Sequence, residues 1–153
     1  MLRPRIRRAL QRVTAELASS LPDASMEHVG ATAVPGSLTK GDLDVLVRVP
    51  ESQFQPAAAQ LKRRFAPKPE NQPADLASFE AEPEDGVLIG VQLVVAGGRS
   101  DRLFLRWREG LIQEPDLLQR YNEFKQEHRD LDYPEYTEAK AKFIERELGE
   151  SMG

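Results

Sequence analysis

Apolar residues at Ile6, Leu10, Val13 and Leu17 recur at spacings of four, three and four, so residues 4–19 are predicted to form a helix with one buried stripe. Pro22-Asp23-Ala24-Ser25 breaks it, and residues 26–29 form a short strand leading into a loop. Residues 43–49 are β-branched and apolar and stop at Pro50, which marks a buried strand. Ser52 is placed to cap a helix running to about Phe65, with Pro56 tolerated near its first turn. The prolines of residues 66–73 predict an irregular loop.

Residues 78–82 and 87–95 flank Pro83-Glu84-Asp85-Gly86, which reads as a β-hairpin. Its second arm is apolar enough to be an inner strand buried on both faces. Ser100 and Asp101 are candidate caps for a helix carrying Leu103, Phe104, Trp107 and Leu111. Pro115 opens another helix with Leu118, Tyr121, Phe124 and Lys125, and Pro134 opens a last one with Tyr136, Lys140, Phe143, Ile144 and Leu148. No internal repeat or linker divides the 153 residues, so one domain over residues 1–153 is expected.

Composition narrows the chemistry. With 40% apolar and 30% charged residues the chain reads as a globular protein, and no stretch has the length of a membrane span. Arg3, Arg5, Arg7 and Arg8 open the chain, but Gln11, Arg12 and Glu16 interrupt any signal-peptide core, so a cytoplasmic location is expected. The basic face of the first helix reads as its solvated side, and the net charge of -4 argues against general nucleic-acid affinity. Salt-sensitive nucleic-acid binding through the Arg3 to Arg12 face is a third, weaker reading. There is no cysteine, which excludes disulfides, thiolate nucleophiles and Cys-ligated zinc. His28 and His128 are too few for a three-His zinc site, so a metal would be held by Asp and Glu, and Mg or Mn is the natural ion.

The candidate site lies in residues 26–47. Side chains at i and i+2 of a strand share a face, so Asp42 and Asp44 point together while Leu43 and Val45 point into the core. Two such carboxylates can hold divalent ions that neutralise phosphate charge during in-line transfer. Upstream, Gly30 and Ala31 let a phosphate approach the backbone N–H groups, Thr32 offers a hydroxyl, and Lys40 offers a positive charge. His28 is read as a support for this turn rather than as a ligand.

Gly30-Ala31 followed after ten residues by Asp42-Leu43-Asp44-Val45 resembles the signature of the DNA polymerase beta-like nucleotidyltransferase superfamily. Within it, His28-Val29-Gly30-Ala31-Thr32-Ala33-Val34-Pro35-Gly36 is similar to the GrpB family's His-Val-Gly-Ser-Thr-Ala-Val-Pro-Gly stretch. Trp107-Arg108-Glu109-Gly110-Leu111, then Pro115, Tyr121 and Lys125, and finally Tyr136, Lys140, Phe143 and Ile144, extend the likeness over nearly the whole chain. The resemblance implies an α/β nucleotidyltransferase fold, a small mixed β-sheet flanked by an N-terminal helix and C-terminal helices. It further implies Mg-dependent (or Mn-dependent) transfer of a nucleoside monophosphate from an NTP to an unidentified hydroxyl or phosphate acceptor. Asp42 and Asp44 would be the catalytic metal ligands, and Gly30, Ala31, Thr32, Lys40, Arg108 and Lys140 would bind the phosphates. The ion-pair alternative for Arg108 places it against Glu109 or Asp101. The chain departs from the pattern at Ala31, which lacks a hydroxyl, and on residues 87–95, which carry no acid and lack the family's frequent histidines. Glu80, Glu82 or Gln92 is left for the third position. Without a third acid, the expected alternative is a non-catalytic descendant that binds a nucleotide or a partner.

Overall fold

The computed structural model describes residues 2–68 and 72–149. The first helix, α1 (Pro4–Ser20), starts on Pro4, whose missing N–H is harmless at a helix start, and buries Ile6, Ala9, Val13 and Leu17 along one side. Ala9 takes the fully buried place that the spacing assigns to Leu10, which is only partly covered. Strands β1 (Ser25–Val29), β2 (Leu43–Val49), β3 (Ala66–Pro67), β4 (Leu76–Glu84) and β5 (Val87–Val95) form one mixed sheet in the order β1-β2-β5-β4-β3. Only β2 and β5 run parallel.

The two faces of this sheet have different fates. Leu43, Val45, Val47 and Val49 of β2, Val91 and Leu93 of β5 and Phe79 of β4 pack under α1 and under α2 (Phe54–Lys62). Each fully buried side chain of this kind contributes about 1.5 to 3 kcal/mol. The opposite face is covered at one end by α3 (Arg99–Gln113), whose Phe104 and Leu105 meet Val29, Leu46 and Val94. Helices α4 (Pro115–Glu127) and α5 (Tyr133–Leu148) join α3 around Leu111, Leu117, Tyr121, Phe124 and Phe143, and Val34 of the loop before β2 enters that core.

Several expectations change. The segment opening at Ser52 is a 3-10 turn over Glu51–Gln53, and α2 starts only at Phe54, without a side-chain cap from Ser52. The predicted irregular loop begins with β3, because Pro67 is tolerated on an edge strand where no ladder N–H is needed. Its residues 69–71 lie outside the described residues. Strand β5 is internal but not buried on both faces: Leu88 is 56% exposed, since α3 covers only the Val94 end. Ser100 and Asp101 lie inside the first turn of α3 instead of capping it. There Asp75, at the entry to β4, accepts the Ser100 N–H at 3.0 Å and its hydroxyl at 2.6 Å. Asp101, 1% exposed, accepts two hydrogen bonds from Arg48 at 2.8 and 2.9 Å and the Gly97 N–H. The arginines of α1 do face solvent, Arg8 with 56% of its side chain exposed, but three of them also make long-range surface contacts. Arg5 donates to the Asp85 carbonyl, Arg8 pairs with the Asp85 carboxylate, and Arg12 bonds the Glu82 carbonyl and the Glu84 carboxylate, fastening α1 to the β4–β5 turn.

Candidate functional site

The uncovered half of the second sheet face is where the predicted residues converge. Residue pairing aligns Asp44 with Val29 of β1 and Gly90 of β5, and Gly90 with Glu80 of β4, so Asp44, Gly90 and Glu80 share that face. Asp42 precedes β2 by one residue, outside the paired strand, and lies close enough for its charge to add to the rise in the Asp44 pKa. The Asp44 carboxylate lies in a slot between two glycines. A Cβ on Gly30 would stand 2.6 Å from Asp44 Oδ2, and one on Gly90 would press still closer on Oδ1. Gly30 also has φ of 82° and ψ of -176°, a conformation essentially reserved for glycine.

Burial pushes the Asp44 carboxyl above its ordinary pKa, with Lys140, Lys68 and a hydrogen bond from Gln92 opposing the rise. Gln92 therefore orients Asp44 through its amide, and its carbonyl oxygen accepts the Ser78 hydroxyl. Lys140 reaches the site from α5. Its pKa is held above the ordinary value by Tyr121 foremost, against burial, with Asp44 and Tyr136 adding to the effect.

The Gly30 turn and the loop after it are held by two other devices. Ala31–Ala33 forms a 3-10 turn, and the Thr32 hydroxyl bonds His28 Nε2 at 2.9 Å. Register places His28 beside Val45, on the face opposite Asp44, so it supports the turn from behind. Burial, followed by the Arg108 charge, lowers the His28 pKa. On the other side, Asn122 of α4 accepts the Leu38 N–H at 2.9 Å and donates to the Gly36 carbonyl at 3.0 Å. Lys125 donates to Ser37 Oγ at 2.9 Å and the Leu38 carbonyl at 2.7 Å, and its ammonium lies 4.3 Å from the Tyr121 ring centre. Burial and the neighbouring Lys140 bring Lys125 down to about 8.

Other expected residues sit apart. Arg108 donates to the Glu27 carboxylate at 2.9 Å and the His28 carbonyl at 3.0 Å, which ties α3 to β1, and it also meets Glu109. Of the two ion-pair partners considered for it, Glu109 is present, whereas Asp101 is taken by Arg48. Lys40 is exposed on the loop and forms no ion pair among the described residues. For the third acid, Glu82 falls where the β4–β5 pairing shifts, and its carbonyl is engaged by Arg12. Glu80 has the right face but is 66% exposed and paired with Lys68 at 3.8 Å. Among the described residues no three acids or histidines group closely enough to hold a metal. Two oxygen donors beside an open face do fit one hard cation, since Mg is usually bound by one or two carboxylates together with water and phosphate oxygens. Sequence reasoning misses Lys68 and Asn122. No motif marks Asn122, and Lys68 sits in a segment whose prolines predict a loop.

A family model described as GrpB protein matches residues 2–150. The chain belongs to the GrpB family. A UPF0157 protein of Vibrio cholerae is 36% identical over 138 residues, which span 89% of this chain and 72% of that relative. The crystal structure of GrpB from Enterococcus faecalis superposes with a TM-score of 0.71 at 22% identity, covering 95% of this chain and 93% of that one. Nucleotidyltransferases share the fold. A Cid1 poly(U) polymerase bound to MgATP gives a TM-score of 0.56 at 16% identity over 84% of this chain, and a cytoplasmic RNA terminal U-transferase gives 0.52 at 17% over 80%. This chain spans 43% and 39% of those two structures. Among the described residues, no helix of this GrpB-family chain is long and apolar enough to cross a membrane.

Proposed function

We propose that this GrpB-family chain binds a nucleoside triphosphate as its Mg complex and transfers the nucleoside monophosphate to a hydroxyl or phosphate acceptor. The observation that carries the reading is the Asp44 carboxylate seated between Gly30 and Gly90, with the charges of Asp42 and Lys140 acting on it. The fold shared with Cid1, a polymerase captured with MgATP, supports it at the level of architecture.

Asp42 and Asp44 are the residues that would hold Mg (or Mn), which when bound neutralises charge on the reacting phosphates. The Gly30, Ala31 and Thr32 backbone lines the approach to Asp44, and Lys140 stands opposite it to grip phosphate oxygens as a point charge. Lys40, exposed on the connecting loop, is assigned to the leaving pyrophosphate. In the transfer itself, an acceptor oxygen attacks the α-phosphorus, that P–O bond forms, and the bond to the β-phosphate oxygen breaks. Arg108 is left out of the assignment because Glu27 and His28 occupy its guanidinium.

A second reading is favoured by one fact, the lack of a close-set third acid among the described residues. It keeps the nucleotide site and drops the transfer, because no carboxylate is in place to take the proton of the acceptor hydroxyl. Calorimetric titration of ATP, UTP, GTP and CTP with Mg tests the shared part. Asp42→Asn and Asp44→Asn are each expected to lower Mg-dependent affinity by about ten- to a hundredfold, the range for losing a charged hydrogen-bonding group. Unchanged affinity in both variants would overturn the site. Pyrophosphate release on screening acceptors separates the two readings: release supports transfer, and binding without release supports the binding module.

A further inference from the structure

We propose that the site takes a single divalent cation, with the Lys68 ammonium supplying the second positive charge beside Asp44; this rests on the metal reading of Asp42 and Asp44. Strand β3 pairs with β4 so that Ala66 faces Glu80 and Pro67 faces Phe79. The Lys68 N–H continues the ladder by donating to the Ser78 carbonyl at 2.9 Å. Alternation therefore sends the Lys68 side chain to the face that carries Ser78, Glu80, Gly90 and Asp44. There its ammonium stands 3.8 Å from Glu80 and acts on the Asp44 carboxylate. Gly90, having no side chain, lets the Asp44 carboxylate lie over β5, toward the β4 side of the face.

The charges around Asp44 make the case. Asp42, Asp44 and Glu80 bring three negative charges, and Lys68 and Lys140 bring two positive ones. One divalent ion completed by phosphate oxygens is compatible with that balance. A second would need a further acid close to Asp44, and the acid on the correct face, Glu80, is 66% exposed and turned to Lys68 at 3.8 Å. Sites that hold two ions roughly 3.5 to 4 Å apart use the second to neutralise an attacking or leaving oxygen. Here a resident ammonium stands in for that charge, so Lys68 is a positioning residue for phosphate rather than a bystander of a surface ion pair.

Electron paramagnetic resonance on the full chain, titrated with Mn in the presence of one equivalent of α,β-methylene-ATP, counts the ions. One Mn per complex, weakened in Asp42→Asn and Asp44→Asn, is the expected result. Two Mn per complex would overturn the inference and leave the metal site standing. A single Mn untouched by either Asp variant would mean that the nucleotide alone holds it, which removes the metal site and this inference together. With Mn alone, Lys68→Ala is expected to bind severalfold more tightly, because a positive charge that acts on the Asp44 carboxylate is removed. Lys68→Glu should add a second Mn, Lys68→Arg should keep one, and Glu80→Gln should not lower the count. Unchanged Mn affinity in Lys68→Ala, or loss of an ion in Glu80→Gln, would refute the role given to Lys68.

Discussion

Replacing Gly90 by alanine tests the slot in which Asp44 lies. Gly90 is a β5 residue without a left-handed backbone, so a methyl group meets no conformational obstacle of its own. Removing a strand glycine should by itself stabilise the chain by about 0.5 to 1 kcal/mol. The added Cβ would, however, fall inside the 3.0 Å that real Cβ contacts respect, against Asp44 Oδ1, and would sit 3.5 Å from Gln92 Nε2. The carboxylate must therefore rotate. An off-rotamer side chain costs about 0.5 to 1.5 kcal/mol, and loss of the charged hydrogen bond from Gln92 costs about 1.5 to 3 kcal/mol. Set against the glycine gain, Gly90→Ala is expected to lose about 1 to 4 kcal/mol in urea unfolding and to bind Mg-nucleotide at least about tenfold more weakly. Gly30→Ala should be worse, because the strained φ of 82° adds about 1 to 3 kcal/mol to the same clash. If Gly90→Ala gained stability and kept wild-type Mg-nucleotide affinity, Asp44 would not occupy the slot and the site would have to be redrawn.

Asp101→Ala should destabilise the chain by about 2 to 3 kcal/mol in denaturant titrations, the low end for breaking a buried pair, because Arg48 keeps 27% of its side chain exposed and can be rehydrated. His28 has a folded pKa below its ordinary 6.5, so the folded state binds fewer protons than the unfolded one. Its contribution to stability is therefore present above pH 6.5 and lost as the pH falls through that value toward the folded pKa. His28→Gln should flatten that part of the stability profile, and an unchanged slope would show that His28 is not held neutral. Burial and Lys140 bring Lys125 down to about 8, so the ammonium that tethers Ser37 and Leu38 of the loop carrying Lys40 is lost as the pH rises from 7 to 9; triphosphate affinity should decline over that range and decline less in Lys125→Arg, which calorimetry at several pH values measures.

Residues whose role is set by spacing alone are legible in the bare sequence. The apolar run of residues 43–49 gives a buried strand without reference to distant chain, and Pro4, Pro115 and Pro134 mark helix starts because each lacks a donor that a first turn does not use. What is not legible depends on long-range pairing. Arg48 and Asp101 are 53 positions apart, and nothing local identifies either as the other's partner. The arginines of α1 are a solvated face, as their spacing indicates, but the acidic turn that receives Arg8 lies 77 positions away and no local signal marks it. Lys68 is the sharpest case. Three prolines argue for a loop, yet two residues at the start of that segment add an edge strand to β4. That pairing fixes the alternation of Lys68, and through it the charge beside Asp44. Composition offers Glu80, Glu82 and Gln92 as equals for the third position, whereas register gives each a different fate: Glu80 is paired, Glu82 is displaced at the irregularity, and Gln92 orients Asp44. A motif names the carboxylates, but which charges share their face is decided by the register of a distant edge strand.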